Sequence, residues 1–164
     1  LGLLQSKADT NESIYSIKTS FVYALKHPED ITNEKGFAID FQIDQTKYVS
    51  WLLGVNMSFY KESHINETDN LSTFRSLIGP KFYFDKDKLS TYFRISVGMT
   101  YFSYGSAERG WTPSMFPAFG LEYLISKKFK IYFEPNLNLR LGGAETLGIL
   151  GQFVFNAGII TKLK

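Results

Sequence analysis

The chain contains two histidines, His27 and His64, and no cysteine. Any nucleophilic or zinc-dependent chemistry would therefore have to be assembled around one of those two imidazoles. Neither His27-Pro28 nor Ser63-His64-Ile65 resembles the pairing of a histidine with a serine or an acid that a lipase or protease requires. Both are expected to be surface histidines, and no catalytic residue is assigned. Glu62, His64, Glu67 and Asp69 lie together in the segment ESHINETDN. Such groups can ligate a divalent cation, but in a long polar loop they are expected to be solvated, so neither a metal nor another cofactor is predicted. The sequons at Asn11, Asn66 and Asn70 are read as chance. Gly142-Gly143 has no basic partner and no following helix, which excludes a phosphate cradle. The one segment with a binding composition is 103–114, SYGSAERGWTPS, in which Tyr104, Arg109 and Trp111 are of the types enriched at binding hot spots. It is expected to be an exposed loop, with Trp111 either available to a ligand or folded back onto the rim.

What positions these residues is a succession of strands. The hydrophobic period is two almost throughout, with no convincing 3.6-residue segment. Eight strands are predicted, at about 13–26, 37–44, 48–61, 71–84, 90–102, 115–125, 130–141 and 149–163. They are longer than the ~5–6 residues usual in soluble sheets and match the ~9–11 residues of a strand tilted across a bilayer. Long connections (28–36, 62–70, 103–114 and 142–148) alternate strictly with the short ones DQTK, DKDKL and SKKF.

Each strand has two unlike faces. One carries, for example, Val49, Trp51, Leu53, Val55, Met57 and Phe59, or Phe93, Ile95, Val97, Met99 and Tyr101, and across all eight strands it holds no charge. The other carries Lys18, Asp40, Gln42, Arg75, Lys81, Arg94, Glu122, Glu134 and Arg140 among serines, asparagines and glycines, together with Val22, Leu52, Leu77, Tyr83, Tyr92, Leu124, Tyr132 and Val154. An eight-stranded barrel has room inside only for side chains that fill it. The wholly apolar face must point outward, where in water it would far exceed the few hundred Å² of apolar patch a soluble monomer tolerates. A lipocalin-like barrel with an apolar cavity would reverse this pattern. The predicted fold is therefore all-β: an eight-stranded antiparallel up-and-down transmembrane β-barrel, closed so that lipid meets no unpaired edge.

Length and composition agree. The 164 residues form one domain, 1–164, with no linker, and residues 1–12 are expected to be an N-terminal periplasmic segment. Leu1-Gly2-Leu3-Leu4 could be the end of a signal-peptide hydrophobic region. A net charge of +2 with dispersed basic residues gives no nucleic-acid footprint. No run approaches the ~18 apolar residues of a spanning helix. Aromatic residues make up 16% of the chain, and their placement suggests two girdles, with Tyr15, Trp51 and Tyr123 near the short turns and Tyr23 and Tyr101 near the long loops.

The hairpins GPKFYFDKDKLSTYFRISVG (79–98) and PAFGLEYLISKKFKIYFEPNLNLR (117–140), with the last strand GILGQFVFNAGIITKLK (148–164), resemble the small eight-stranded outer-membrane barrels of the OmpA transmembrane domain and OmpX kind. Members commonly end on an aromatic residue, whereas this chain ends Thr161-Lys162-Leu163-Lys164. The resemblance implies an integral protein of the bacterial outer membrane, with short turns and both termini periplasmic. Its partners would be outer-membrane lipid or lipopolysaccharide and other outer-membrane proteins. A structural or surface-binding role, or that of an accessory subunit, is expected; a narrow pore or small-solute channel is the alternative, and an enzyme is less favoured. Arg94, Glu122 and Glu134 count to similar heights on adjacent strands, so Arg94 is predicted to bridge both glutamates, with Lys81 as fourth member of a charge network closing the lumen. Pro80, Pro117 and Pro135 fall inside strands, where proline usually marks a bulge.

Overall fold

In the computed structural model, residues 14–25, 34–61, 70–85, 87–104, 108–141 and 149–163 are described. They form eight strands: β1 (Ile14–Ala24), β2 (Glu34–Asp44), β3 (Val49–Lys61), β4 (Asn70–Tyr83), β5 (Leu89–Tyr104), β6 (Glu108–Leu124), β7 (Phe129–Leu141) and β8 (Ile149–Lys162). Each pairs antiparallel with its neighbours in sequence, and β8 returns to β1, giving a closed up-and-down barrel. The strands are tilted. Following the register round from Lys18 through Asp40, Gly54, Leu77, Gly98, Ser114 and Arg140 arrives in β8 at Leu150, whereas Lys18 itself pairs with Ile160. That stagger is the shear a closed barrel needs.

Burial alternates as the sequence pattern requires. Val97, Leu53 and Phe153 lie on the outer surface, more than half exposed, while Ser96, Leu52 and Gln152 beside them are buried inside. Lys18, Asp40, Arg75, Lys81, Arg94, Glu122 and Glu134 are all buried, together with the apolar residues Val22, Leu52, Leu77, Tyr83, Tyr92, Tyr132 and Val154 that share their face. The interior is thus a polar core with apolar patches, and the hydrophobic face is the outside.

Two expectations need correction. β6 begins at Glu108, seven residues before the predicted start at 115, because Tyr104 pairs with Glu108, Ser103 with Arg109 and Tyr101 with Trp111 in one unbroken ladder. Most of the supposed loop 103–114 is therefore a hairpin extension; beyond an apolar band, alternation is no longer required of a strand, and the sequence signal fades. The three prolines also mark no bulge. Register is the same on both sides of Pro80 in the β4–β5 ladder, from Ile78↔Val97 to Lys81↔Arg94. It is likewise constant past Pro117 and Pro135 between β6 and β7, from Met115↔Leu139 through Ala118↔Asn136 to Leu121↔Phe133. Each proline gives up bridges on one side only, keeping its partner on the other: Trp51 for Pro80, Ile95 for Pro117 and Phe155 for Pro135. A missing N–H leaves no donor to be satisfied on the apolar surface, so proline is tolerated there without an extra residue.

Candidate functional site: the charged interior

Along β4 the inward residues run Arg75, Leu77, Gly79, Lys81, Tyr83, and they sort the lumen into tiers. At the short-turn end the centre is Glu122. Lys130 Nζ donates to its Oε2 at 2.7 Å, and Lys81 Nζ and Tyr83 Oη (3.1 Å) both donate to Oε1. Gln42 ties this group to the β2–β3 turn: its amide nitrogen donates to Tyr83 Oη at 3.1 Å and to Asp44 at 2.8 Å, while its oxygen accepts from Lys81 at 3.1 Å.

The second tier surrounds Glu134. Arg94 Nη2 donates to Oε1 at 2.8 Å, joined by Asn156 at 3.3 Å; Lys18 Nζ and Tyr92 Oη donate to Oε2 at 3.0 and 2.7 Å. Lys18 also lies 3.8 Å from Asp40 and sits over the Tyr132 ring at 3.9 Å. Two small residues make room for this tier. A Cβ on Gly120 would lie 2.2 Å from the Tyr92 ring, and one on Gly54 would lie 1.9 Å from the Asp40 carboxylate. A side chain at either position would have to displace the group opposite, the Tyr92 ring or the Asp40 carboxylate.

Leu52, Leu77 and Phe116 form an apolar cluster. On β4 it separates the lower tiers from a third at the long-loop end. There Glu34 accepts from Arg75 at 2.7 Å, Ser58 at 2.6 Å and Gln152 at 2.8 Å. Gln152 accepts in turn from Arg75 at 3.0 Å and Arg140 at 2.8 Å. Asn138, with its amide oxygen turned toward them, accepts from Arg75 Nε at 3.1 Å and Arg140 Nε at 3.3 Å.

The predicted network is thus divided. Arg94 meets Glu134 and not Glu122, whose two oxygens are taken by Lys81, Lys130 and Tyr83. Counting heights from the turns ignored the tilt: Arg94 lies opposite Ala118, four residues before Glu122 in β6, and Ala118 lies opposite Asn136, two residues from Glu134. Lys18, Arg75, Gln42 and Arg140 were legible as polar-face residues but were not placed in a network. Glu34 was hidden by its assignment to the loop 28–36, and Tyr83 and Tyr92 looked like exceptions to the polar face, although their hydroxyls are donors to the two glutamates.

Of the loop residues, Trp111 lies on the outer surface, tilted against Tyr101 at 5.1 Å and edge-on to Phe74 at 6.2 Å. Tyr104 and Arg109 belong to β5 and β6. His27, His64, Glu62, Glu67 and Asp69 lie outside the described residues. Tyr15, Tyr23, Trp51 and Tyr123 are on the outer surface near strand ends, with Tyr15 stacked on Phe41 and the Trp51 indole donating to Gln45 at 3.0 Å.

No protein-family model matches the sequence, and no curated protein matches it. Solved structures do match its shape. Neisserial surface protein A superposes with a TM-score of 0.68 at 11% identity, over 91% of this chain and 97% of that one. The outer-membrane protein OprG of Pseudomonas aeruginosa gives 0.60 at 9%, over 92% and 96%. Ail, the attachment invasion locus protein of Yersinia pestis, solved with the heparin analogue sucrose octasulfate, gives 0.58 at 14%, over 92% and 97%. Identities this low speak to architecture alone, and the architecture is plain: this chain has the fold of the small eight-stranded outer-membrane β-barrels.

Proposed function

We propose that the chain is an integral protein of the bacterial outer membrane whose polar lumen is closed, with short turns and both termini periplasmic, serving a structural or surface-binding role or accompanying a larger outer-membrane complex. The observation that carries this reading is the inversion of the two faces. The strands turn their apolar sides out, and the buried charges of β1, β2, β4, β5, β6 and β7 point in; an apolar band of that kind is stable only against lipid. Aromatic residues toward both ends of the outer face, Tyr15, Trp51 and Tyr123 at one and Tyr23, Tyr101 and Trp111 at the other, suit two membrane interfaces.

Closure is supported by the three tiers, in which buried cations from β1, β4, β5 and β7 reach carboxylates on β2, β6 and β7. The Leu52, Leu77 and Phe116 cluster is buried alongside them. That favours a closed barrel over a narrow pore.

Membrane insertion is tested by diluting the urea-unfolded chain into phospholipid vesicles. The folded barrel should float with the vesicles, resist added protease across its strands and migrate faster before boiling than after. A chain that stayed monodisperse in buffer without lipid or detergent would instead be a soluble barrel.

A further inference from the structure

Charge is distributed unevenly between the two ends of the barrel. At the short-turn end Lys47, Lys88, Lys127 and Lys128 are exposed, against Asp85 and Asp87. Lys130 and Asp44 stand nearby but are engaged with Glu122 and with Gln42 and Ser50. The connections joining the opposite strand ends contain Glu29, Asp30, Glu62, Glu67, Asp69 and Glu145, with Lys26 as their one lysine or arginine.

The lysines form an arc. Lys88 is tied to the end of β6, since its carbonyl accepts from the Leu124 amide at 2.8 Å, and Lys128 is tied to the end of β8, since its carbonyl accepts from the Lys162 amide at 2.9 Å. Lys88, Lys127 and Lys128 therefore follow one another along the rim from β5 to β8. Directly beside them on the outer face are Phe84, Tyr123, Ile125 and Phe129, all exposed. The Lys88 ammonium lies 5.4 Å from the centre of the Tyr123 ring, and that of Lys47 lies 5.5 Å from the Tyr48 ring. A lysine whose stem follows an outward aromatic and whose head stays at the rim is placed at the depth where acyl chains give way to phosphates.

We infer that this arc binds anionic glycerophospholipid headgroups of the leaflet at the short-turn end. The inference rests on the membrane reading above and adds to it a lipid class and a surface. The lysines are unlike the buried ones in having no carboxylate partner among the described residues, so their charge is available to a phosphodiester. A basic rim near anionic lipid is favoured by electrostatics that each lysine adds to and salt weakens.

The test uses the full chain reconstituted in phosphatidylcholine vesicles, with spin-labelled phosphatidylglycerol, phosphatidylcholine and lipid A as probes of the lipid held at the barrel surface. Wild type should hold phosphatidylglycerol several-fold more strongly than phosphatidylcholine, and the preference should fall toward unity at ~1 M salt. The triple variant Lys88→Gln, Lys127→Gln, Lys128→Gln should lose it, and the matching triple arginine variant should keep it. An inserted wild-type barrel that showed no preference, a preference unchanged in the glutamine variant, or a stronger lysine-dependent preference for lipid A would each overturn the inference while leaving the membrane reading intact. Failure of the wild-type barrel to insert, seen directly as failure to float with vesicles, would overturn both.

Discussion

Lys81 and Arg94 face each other directly across the β4–β5 ladder, both fully buried, and point to different carboxylates: Lys81 to Glu122 on β6, Arg94 to Glu134 on β7. Two like charges opposite one another in a sheet would repel. Here each is drawn away by its own glutamate, and the Tyr92 ring lies against Lys81, 3.8 Å from its ammonium. The pair shows how two cations can stand side by side in one buried interior.

This division predicts how losses combine. Arg94→Leu removes one of two cations on Glu134 and should destabilise the barrel by about 3–5 kcal/mol, the scale for breaking a buried pair. Adding Glu134→Gln should recover part of that. Adding Glu122→Gln should not, because Glu122 belongs to the neighbouring tier, although a small residual coupling through Lys81 is expected. Urea unfolding followed by gel mobility measures all three; coupling of Arg94 to Glu122 as large as that to Glu134 would contradict the assignment.

The outer band makes a second comparison. Val97 is on the outside and Ser96 is buried within the lumen. Val97→Arg should cost roughly 2–4 kcal/mol near mid-membrane and lower the yield of barrel folded into vesicles. Ser96→Arg meets a steric obstacle that does not depend on lipid, so its defect should be similar in detergent and in bilayers. Normal folding of Val97→Arg would reverse the faces.

Gly120 gives a third. Gly120→Ala should push the Tyr92 ring away and weaken its bond to Glu134, a loss of about 1–3 kcal/mol. Coupling this change with Tyr92→Leu, which frees the space, should restore most of the stability; independent losses would mean that the ring is not what the glycine accommodates.

Orientation is tested on whole cells. A cysteine replacing Asn66 should react with an impermeant reagent added outside, and one replacing Lys127 should not. Labelling of the second alone would turn the barrel over.

How much of this was legible in the sequence follows from what each feature depends on. The strands and their faces are local, because an alternation such as that of 91–101 needs nothing beyond itself, and so the barrel and its inverted polarity could be read directly. The extension of β6 to Glu108 was not, since Gly110 and Pro113 in a charged, polar stretch have the composition of a loop. Their strand conformation comes from pairing with Phe102 and Met99. The choice of Glu134 over Glu122 by Arg94 depends on the stagger accumulated around a closed sheet, which no single strand encodes. The alternation could place eight charges on one face but not say which of them meet.

The claim on which the functional reading turns is that the lumen is closed. Single-channel recording across a planar bilayer, on chain whose insertion has been verified by its shifted gel mobility, tests it most directly. The account predicts no stepwise conductance for wild type and none for Arg75→Lys, which keeps the charge of the uppermost tier. Discrete ohmic steps from the wild-type barrel, altered by substitutions at Arg94 or Glu134, would contradict it and make the chain a pore.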